Sequence, residues 1–348
     1  MTELWSSHGL GGDQEFDRGR LNLRLILTFR LPVDDAEWRL DLLSFGTHTH
    51  RSERFVERLL SSSEAPIRLP KRDIAAHKGS YGTLLVIAGS SQLGGAAALV
   101  ADGALRAGVG LVRLAVPWGI VERLATNSPE RIVIGQRQES DGGLAFTALP
   151  DLRQLLSTAS AVVIGPGMGQ SAGRSHLIRQ LLESIKQPAV LDADGLNLLA
   201  EIGITKIAKF GRNWILTPHP KEASRLLDIP IEKVLDDRRN AVATLARSTG
   251  AVVVLKGHQT LIANGTSDDI FINTTGNPNL AVGGTGDVLT GVIGALLAMG
   301  LPTLDATLLG VWAHGRAADR LLVAGRSFGV KPTELAKEIT FALSEASL

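Results

Sequence analysis

The sequence predicts an α/β fold in which a mostly parallel central sheet carries helices on both faces. From about residue 75 onward, short apolar runs alternate with longer stretches of helical pattern. Short continuous apolar runs are typical of strands buried on both faces. Their alternation with helices is typical of parallel sheets built by right-handed crossovers. The predicted strands are 83–88, 111–115, 161–164, 189–191, 214–216 and 251–255, and the predicted helices include 96–107, 175–185 and 221–227.

One pair of apolar runs departs from this alternation. The runs 260–262 and 270–272 flank Gly265 and have no helical stretch between them. Antiparallel strands need only a short turn, whereas parallel strands need a long crossover. We therefore predict a hairpin at the edge of the sheet.

The composition excludes several classes of function. Of the 348 residues, 44% are hydrophobic, which allows a sizeable core. The formal net charge is +1 and aromatic residues make up 4%, so we expect no nucleic-acid partner and no membrane partner. The absence of cysteine rules out disulfides, thiolate nucleophiles and cysteine-ligated metals. With no signal-peptide pattern at the start, we expect a cytoplasmic protein.

The first part of the chain differs in composition from the rest. Residues 1–65 are richer in Arg, Asp and Glu and are predicted to form an N-terminal extension of unknown role, followed by a second domain over 66–348. Within the extension, 21–31 is predicted to be a strand and 52–60 a helix. The polar run 61–64 is predicted to be a linker.

The most informative segment runs from Thr275 to Gly291. Its glycine-rich turn over 283–286 opens an apolar helix predicted over 287–299. A glycine turn at a helix start directs free N–H groups and the positive end of the helix dipole to one place, which suits a phosphate. Asp287 lies in the first turn of that helix. We interpret it as the base that takes a proton from a hydroxyl attacking a phosphoryl group. The alternative is that Asp287 only caps the helix.

Glycine-bearing loops follow two of the predicted strands. Segment 89–97 leads from a strand into a helix, which is a phosphate-binding geometry, although close helix–sheet packing explains its glycines about as well. The three glycines of 165–169 allow the backbone to approach a bulky ligand, and a rigid turn is the alternative. Because ligands bind outside the carboxyl ends of parallel strands, we expect these loops to meet at one edge of the sheet.

Polar residues follow three further strands. Asp192 and Asp194 could together hold a hydrated Mg²⁺, or Asp194 could cap the next helix. His219 lies between two prolines that restrict its backbone, so it could touch substrate, and Glu222 could orient a water on Mg²⁺. A capped helix start explains Glu222 but not His219. Lys256, beside a glycine, suits a nucleotide phosphate or ribose, with a surface turn as the alternative.

Six segments of the chain, taken in order, resemble the NAD(P)H-hydrate dehydratase family, the carbohydrate-kinase-like domain of the ribokinase superfamily. The resemblance runs from about residue 70 to 342 and implies a ribokinase-like fold. The ordered set is much more specific than any one motif. The segments are HKGSYGT at 77–83, GPGMG at 165–169, LDADGLN at 191–197, LTPHPKE at 216–222, LKGHQT at 255–260 and GNPNLAVGGTGDVLTG at 276–291.

The resemblance implies an ADP- or ATP-dependent repair of NADHX and NADPHX, the hydrated forms of NADH and NADPH, with Mg²⁺ as cofactor. Phosphorylation of the ring hydroxyl, with Asp287 as catalytic base, would be followed by elimination of phosphate. Carried over position by position, the substrate-binding residues are Ala96, Gly167, His219 and Asp287, and the nucleotide-binding residues are Lys256, Gly257, His258, Gln259, Thr260 and Gly286.

The family also implies a metal contact and partners. Ribokinase-like enzymes commonly carry an Asn-x-x-Glu element near Mg²⁺; here His219 replaces the Asn and Glu222 is retained, so Glu222 is expected to bind metal through water. Family members often form tetramers, so we expect a homo-oligomer. Some members carry an NAD(P)HX epimerase domain. Since residues 1–65 are too short for it, we expect the epimerase on a separate chain.

Two other functions compete with this interpretation. A ribokinase-like small-molecule kinase of the hydroxymethylpyrimidine or thiazole type would share the turn at 283–287 but stop at a phosphorylated product. The segments 77–83 and 217–222 favour the dehydratase. A non-catalytic nucleotide-binding protein is the second competitor, and it would have no need of a proton acceptor at Asp287.

Overall fold

The computed structural model describes residues 55–210 and 213–347, which form one ten-stranded sheet flanked by helices. This confirms the predicted α/β class. The strands are β1 (Val56–Leu60), β2 (Thr83–Ile87), β3 (Leu111–Pro117), β4 (Ile132–Gln136), β5 (Ala161–Ile164), β6 (Ala189–Leu191), β7 (Trp214–Leu216), β8 (Val252–Leu255), β9 (Leu261–Asn264) and β10 (Asp269–Asn273). The helices are α1 (Gly94–Ala107), α2 (Val121–Asn127), α3 (Leu149–Leu156), α4 (Ala172–Ser184), α5 (Asp194–Ile202), α6 (Pro220–Leu227), α7 (Ile231–Asp236), α8 (Arg238–Thr249), α9 (Thr285–Ala298), α10 (Thr303–Val323) and α11 (Pro332–Glu345).

The described strands are parallel to their neighbours except at β9. From one side to the other it is β1-β10-β9-β8-β7-β6-β5-β2-β3-β4. Strand β9 is antiparallel to β8 and β10, and the other neighbouring strands are parallel. The predicted hairpin is therefore confirmed as β9 and β10. It does not lie at the edge, because β1 pairs with β10 in the described part of the chain.

The helix predicted over 52–60 is wrong where the structure describes it. Val56–Leu60 is a strand that runs parallel to β10, and Arg58 pairs with Asp269 of that strand at 2.9 Å. The strand covers backbone groups of β10 that would otherwise lack partners on that side. Local periodicity cannot reveal a partner 211 residues away. The strand predicted over 21–31 lies outside the described residues, and the boundary expected after residue 65 stays a prediction.

The sheet separates two apolar cores because successive side chains of a strand point to opposite faces. On β2, Leu84 and Val86 belong to the core that includes residues of α1, α9, α10 and α11, whereas Leu85 and Ile87 belong to the core that includes residues of α3 to α8. All four are fully buried. Among the described helices, none combines the length and the apolar character that crossing a membrane would require.

Helices α1 and α9 approach each other through two glycines. A Cβ atom placed on Gly103 of α1 would lie 2.4 Å from the carbonyl oxygen of Val288 on α9. One placed on Gly291 of α9 would lie 2.0 Å from the carbonyl oxygen of Val100 on α1. Backbone-to-backbone packing this close fixes the relative position of the two helix starts, and both helices start at the carboxyl edge of the sheet.

We expect Gly291→Ala to lower the free energy of unfolding by about 1–3 kcal/mol, because the added methyl group collides with a backbone oxygen that cannot move alone. Urea unfolding followed by circular dichroism measures the change. Gly95→Ala is the matched control, since nothing lies within 4 Å of its added carbon, and it should leave stability unchanged or slightly higher. Equal stabilities of the two variants would contradict the close packing of α1 on α9.

Candidate active site

The loops predicted to carry chemistry meet at one edge of the sheet. Strands β2, β5, β6, β7 and β8 are mutually parallel, so their carboxyl ends lie side by side. Backbone hydrogen bonds join neighbouring loops there: the Gly89 N–H donates to Pro166 O at 2.8 Å, and the Lys256 N–H donates to Pro218 O at 2.9 Å. The expected gathering of the loops is thus observed.

The structure brings the predicted substrate residues Ala96 and Gly167 together. A Cβ atom placed on Gly167 would lie 3.0 Å from the Cβ of Ala96 and 2.6 Å from the carbonyl oxygen of Leu93. Gly167 also has φ +65°, which L side chains rarely adopt. The loop after β5 therefore lies directly on the start of α1, and this close packing by itself requires a glycine at position 167.

A buried ion pair links three elements at the centre of this edge. Asp192, which follows β6, is 1% exposed. Its Oδ1 lies 2.8 Å from Lys256 Nζ after β8, and its Oδ2 accepts a hydrogen bond from Thr290 Oγ1 on α9 at 2.6 Å. Burial alone would raise the pKa of Asp192, but Lys256 and Thr290 hold it below its usual value. Thr290 was not predicted, although its place three residues after Asp287 puts it on the same side of α9.

Asp194, the second carboxylate of the loop after β6, binds the loop after β5. Asp194 Oδ2 accepts from the Gly169 N–H at 2.8 Å, and its Oδ1 accepts from Gln170 Nε2 at 3.2 Å. Between the two acids, Ala193 has φ +50°, a strained value for a residue with a side chain. Asp192 and Asp194 therefore bond to different parts of the site and do not share one set of partners.

His219 is itself the cap of a helix, which the sequence argument missed. Its Nδ1 accepts from the N–H groups of Lys221 at 3.1 Å and Glu222 at 3.2 Å, while Glu222 Oε2 accepts from the His219 N–H at 2.8 Å. This reciprocal capping box explains both residues structurally. Because Nδ1 accepts, the ring proton lies on Nε2, and burial and the charge of Lys256 lower the pKa of His219. The neutral ring, 46% exposed, can donate from Nε2 to a ligand.

Three carboxyl groups lie around the ammonium of Lys256. Besides its bond to Asp192, Lys256 Nζ lies 3.9 Å from Glu222 Oε2, and it interacts electrostatically with Asp287. Burial raises the pKa of Glu222 to about 7 against the opposing effect of Lys256. Burial and the charge of Asp192 raise the pKa of Asp287 to about 7. A carboxyl group that titrates near neutrality suits general-base chemistry.

Asp287 is not the cap of its helix. The N-cap of α9 is Gly284, with φ +98°, and Asp287 is the third helical residue. Gly286 lies beside Lys256, since a Cβ atom placed on it would be 3.6 Å from Nζ. The alternative in which Asp287 merely caps α9 is therefore wrong, and its carboxyl group belongs to the charged cluster.

Helix α10 anchors the segment that leads into α9. Thr275 Oγ1 donates to the Trp312 carbonyl at 3.0 Å, and Asp319 accepts from the Gly276 N–H at 2.9 Å and from Asn277 Nδ2 at 3.0 Å. His314 Nε2 lies 2.9 Å from the Thr285 carbonyl oxygen and donates to it. Sequence reasoning missed these supports because they lie tens of residues beyond the motif.

One arginine binds the backbone of the predicted nucleotide-binding loop. Arg238 on α8 donates to the carbonyl oxygens of Leu255 at 3.3 Å and His258 at 2.6 Å. Residues 257–259 are exposed, and Thr260 Oγ1 donates to the Gly257 carbonyl at 3.0 Å. Arg238 thus fixes the loop from Lys256 to Thr260 while residues 257–259 stay exposed. Of the residues in this loop, only Lys256 reaches the carboxylate cluster.

The donor set around Glu222 fits a metal held through water. Within residues 55–210 and 213–347, no three His, Asp or Glu side chains are arranged to hold a metal ion directly. Glu222 Oε2 is engaged by the His219 backbone, and its Oε1 lies 3.4 Å from His219 Nε2. The cluster nevertheless holds more carboxyl groups than ammonium groups, which is the charge that a hydrated divalent cation offsets.

The match to known proteins extends over most of the described chain. Residues 84–341 match the carbohydrate-kinase family described as NAD(P)H-hydrate dehydratase. The chain belongs to the NAD(P)H-hydrate dehydratase family. The ADP-dependent (S)-NAD(P)H-hydrate dehydratase of Neisseria meningitidis is 38% identical over 275 residues, which cover 76% of this chain and 84% of that protein.

A solved family structure shares the fold. The ADP/ATP-dependent NAD(P)H-hydrate dehydratase of Bacillus subtilis, co-crystallised with ATP/Mg²⁺, superposes with a TM-score of 0.67 at 29% identity, covering 80% of this chain and 95% of that one. The ribokinase-like fold implied by the sequence motifs is thereby confirmed.

Other relatives are longer than this chain. The bifunctional NAD(P)H-hydrate repair enzyme of Moorella thermoacetica is 40% identical over 293 residues, which cover 84% of this chain and 54% of that protein. The chain likewise spans 60% and 61% of the bifunctional enzymes of Coxiella burnetii and Gloeobacter violaceus. Because these relatives combine two functions in one chain, they give no support to the expectation of an epimerase on a separate chain.

We expect Asp192→Asn to lower the free energy of unfolding by about 2–4 kcal/mol, because it removes the charge that compensates Lys256 within the fold. Chemical denaturation at neutral pH measures the loss. Asp194→Asn is the control, since it keeps an acceptor oxygen for Gly169 and changes a partly exposed group; it should cost under about 1 kcal/mol. A stability of Asp192→Asn equal to that of the control would show that the ion pair does not hold the loops together.

Proposed function

We propose that this protein catalyses the ADP- or ATP-dependent dehydration of (S)-NADHX and (S)-NADPHX to NADH and NADPH. The observation that carries the proposal is Asp287, a partly buried carboxyl group with a pKa of about 7 at a glycine-opened helix start. The names of the Neisseria and Bacillus relatives support this activity over phosphorylation alone. The protein would act in the repair of damaged nicotinamide nucleotides.

In the first step, Asp287 takes the proton of the ring hydroxyl while the hydroxyl oxygen attacks the terminal phosphorus of the nucleotide. The bond from that phosphorus to the nucleotide's bridging oxygen breaks, so ADP leaves as AMP, or ATP as ADP. The N–H groups of the turn over 283–286 stabilise the charge on the transferred group. Lys256 lies where it can neutralise charge on the same phosphates.

In the second step, the phosphate ester eliminates. The bond between the ring carbon and the ester oxygen breaks, and inorganic phosphate leaves with the bonding electrons. The neighbouring ring carbon gives its proton to water or to the departing phosphate, which restores the double bond. Phosphate is a far better leaving group than hydroxide, so the nucleotide serves to activate the hydroxyl group. This elimination separates a dehydratase from a kinase with the same first step.

The binding residues are assigned as follows. Ala96, Gly167 and His219, which follow β2, β5 and β7, would contact the hydrated dinucleotide together with Asp287. The fixed loop after β8 would hold the adenine nucleotide, through Lys256, Gly257, His258, Gln259, Thr260 and, on α9, Gly286. Packing explains Gly167 and capping explains His219, so neither geometry alone requires a ligand contact.

We propose that magnesium binds near Glu222 by way of a water molecule, and the excess of carboxyl groups over ammonium groups around Lys256 supports this assignment. When bound, Mg²⁺ supplies positive charge that offsets the nucleotide phosphates. The Bacillus relative was co-crystallised with ATP/Mg²⁺, which supports the same requirement here. We also propose that the chain forms a homo-oligomer, with a tetramer as the family expectation.

Incubation of the protein with NADHX and Mg²⁺, with ADP and ATP in parallel, tests the function. Recovery of NADH absorbance with release of one inorganic phosphate per NADH is expected with at least one nucleotide. Consumption of nucleotide with a stable phosphorylated product would instead establish a small-molecule kinase of the hydroxymethylpyrimidine or thiazole type. If neither nucleotide supports a reaction, the proposed function is wrong.

Asp287→Asn should lower kcat by at least about 100-fold, because the amide cannot accept the hydroxyl proton. Equilibrium binding of nucleotide should be unchanged. In the wild type, kcat/KM should rise with pH through about 7, since the base must be ionised. A near-normal rate for Asp287→Asn, or a rate independent of pH between 6 and 8, would show that another group is the base.

The stability of the variant separates loss of chemistry from loss of fold. Native Asp287 keeps its proton up to a pH of about 7, whereas the unfolded chain releases it near 3.8. The contribution of Asp287 to stability therefore falls as pH rises between these values. Asp287→Asn should thus be more stable than the wild type at pH 8, with the difference vanishing near pH 4.

A further inference from the structure

One tryptophan is exposed at the same edge of the sheet as the candidate active site. Trp118 follows β3 directly and is 64% exposed, whereas Trp214 and Trp312 are buried in the cores. A Cβ atom placed on Gly135 of β4 would lie 2.4 Å from ring carbon Cδ2 of Trp118. One part of the indole therefore rests on the backbone of β4, and the remainder faces solvent.

A cation on α2 is fixed against the loop after β2, which leads to Ala96. Arg123 on α2 donates from Nη2 to the Ser91 carbonyl at 3.3 Å, and a Cβ atom on Gly94 would lie 2.5 Å from that nitrogen. The loop that carries Trp118 is itself fixed, because the Gly119 N–H donates to Gln138 Oε1 at 2.7 Å. An aromatic face and a guanidinium group are thus both presented beside the loop that leads to Ala96.

The strand order gives the direction in which a long substrate must extend. The proposed nucleotide loop follows β8, and Ala96 and Gly167 follow β2 and β5, which lie further along the sheet. Beyond β2, the order continues with β3 and β4, each about 4.8 Å from its neighbour. A dinucleotide whose reacting ring lies above β5 and β2 meets the phosphoryl donor on the β8 side. Its other half can then continue in the opposite direction, over β3 and β4.

We propose that Trp118 and Arg123 form a subsite for the adenosine half of the dinucleotide substrate, with the adenine base stacked on the indole and the diphosphate paired with the guanidinium. The proposal rests on the proposed function and extends it to substrate recognition. Every base offers a face for stacking. Trp118 is the one exposed tryptophan among the described residues, and one indole suits one base rather than a nucleic-acid strand. Arginine is well suited to phosphate oxygens.

Calorimetric binding of unreactive ligands tests the subsite. NADPH carries the adenosine half and reduced nicotinamide mononucleotide lacks it. Trp118→Leu, which keeps an apolar side chain over Gly135, should weaken NADPH binding by about 10-fold and leave the mononucleotide and ADP unchanged. Trp118→Phe should retain most of the affinity. Arg123→Met should weaken NADPH binding by at least about 5-fold. Phe341→Leu and Arg179→Met, at exposed positions away from this edge, are the matched controls.

The outcomes separate this proposal from the proposed function. If the wild type converts NADHX and Trp118→Leu leaves the KM for NADHX and the affinity for NADPH unchanged, the subsite is wrong and the function stands. If binding of NADPH depends on Trp118 but no nucleotide supports NADHX conversion, the function is wrong and the subsite stands. Equal weakening of NADPH and the mononucleotide, or no binding of NADPH to the wild type, overturns the subsite.

Discussion

The ion pair between Lys256 and Asp192 is the interaction on which the site depends. Its two partners follow β8 and β6, and Thr290 extends the same bonds to α9. Three elements that are far apart in sequence are thereby fixed around one ammonium group. Because Asp192 stays ionised beside Lys256, its negative charge acts on Asp287 and helps to raise the pKa of that carboxyl group. The acid of this structural ion pair therefore also raises the pKa of the proposed base, Asp287.

This arrangement favours chemistry at some expense of stability. Glu222 and Asp287 both lie near the charge of Asp192, and burial deprives them of water. A fold selected only for stability would replace one of these acids by a neutral group. A divalent cation bound there would offset the surplus of negative charge, whereas the nucleotide phosphates would add charge of the same sign.

The sequence predicted the elements whose signal is local. The buried strands, the hairpin of β9 and β10 and the gathering of loops follow from apolar runs and from the rule for parallel sheets. Strand β1 was predicted as a helix because its pairing with β10 is long-range, and β4 was missed because its residues are only partly buried. His219 was recognised as special, but its role as a helix cap needed coordinates.

The residues that sequence reasoning missed share a physical role. Arg238 binds carbonyl oxygens of the loop after β8, and Asp319 and His314 bind backbone groups before and within α9. Each of these side chains lies on a helix distant in sequence and contacts the backbone of a loop. The residue pattern of the loop itself therefore cannot predict the contact. Loops rich in glycine lose much conformational entropy on ordering. These contacts from distant helices hold the loops in one geometry before any ligand binds. N–H groups that are fixed in advance stabilise a transferred phosphoryl group without a cost of reorganisation during the reaction.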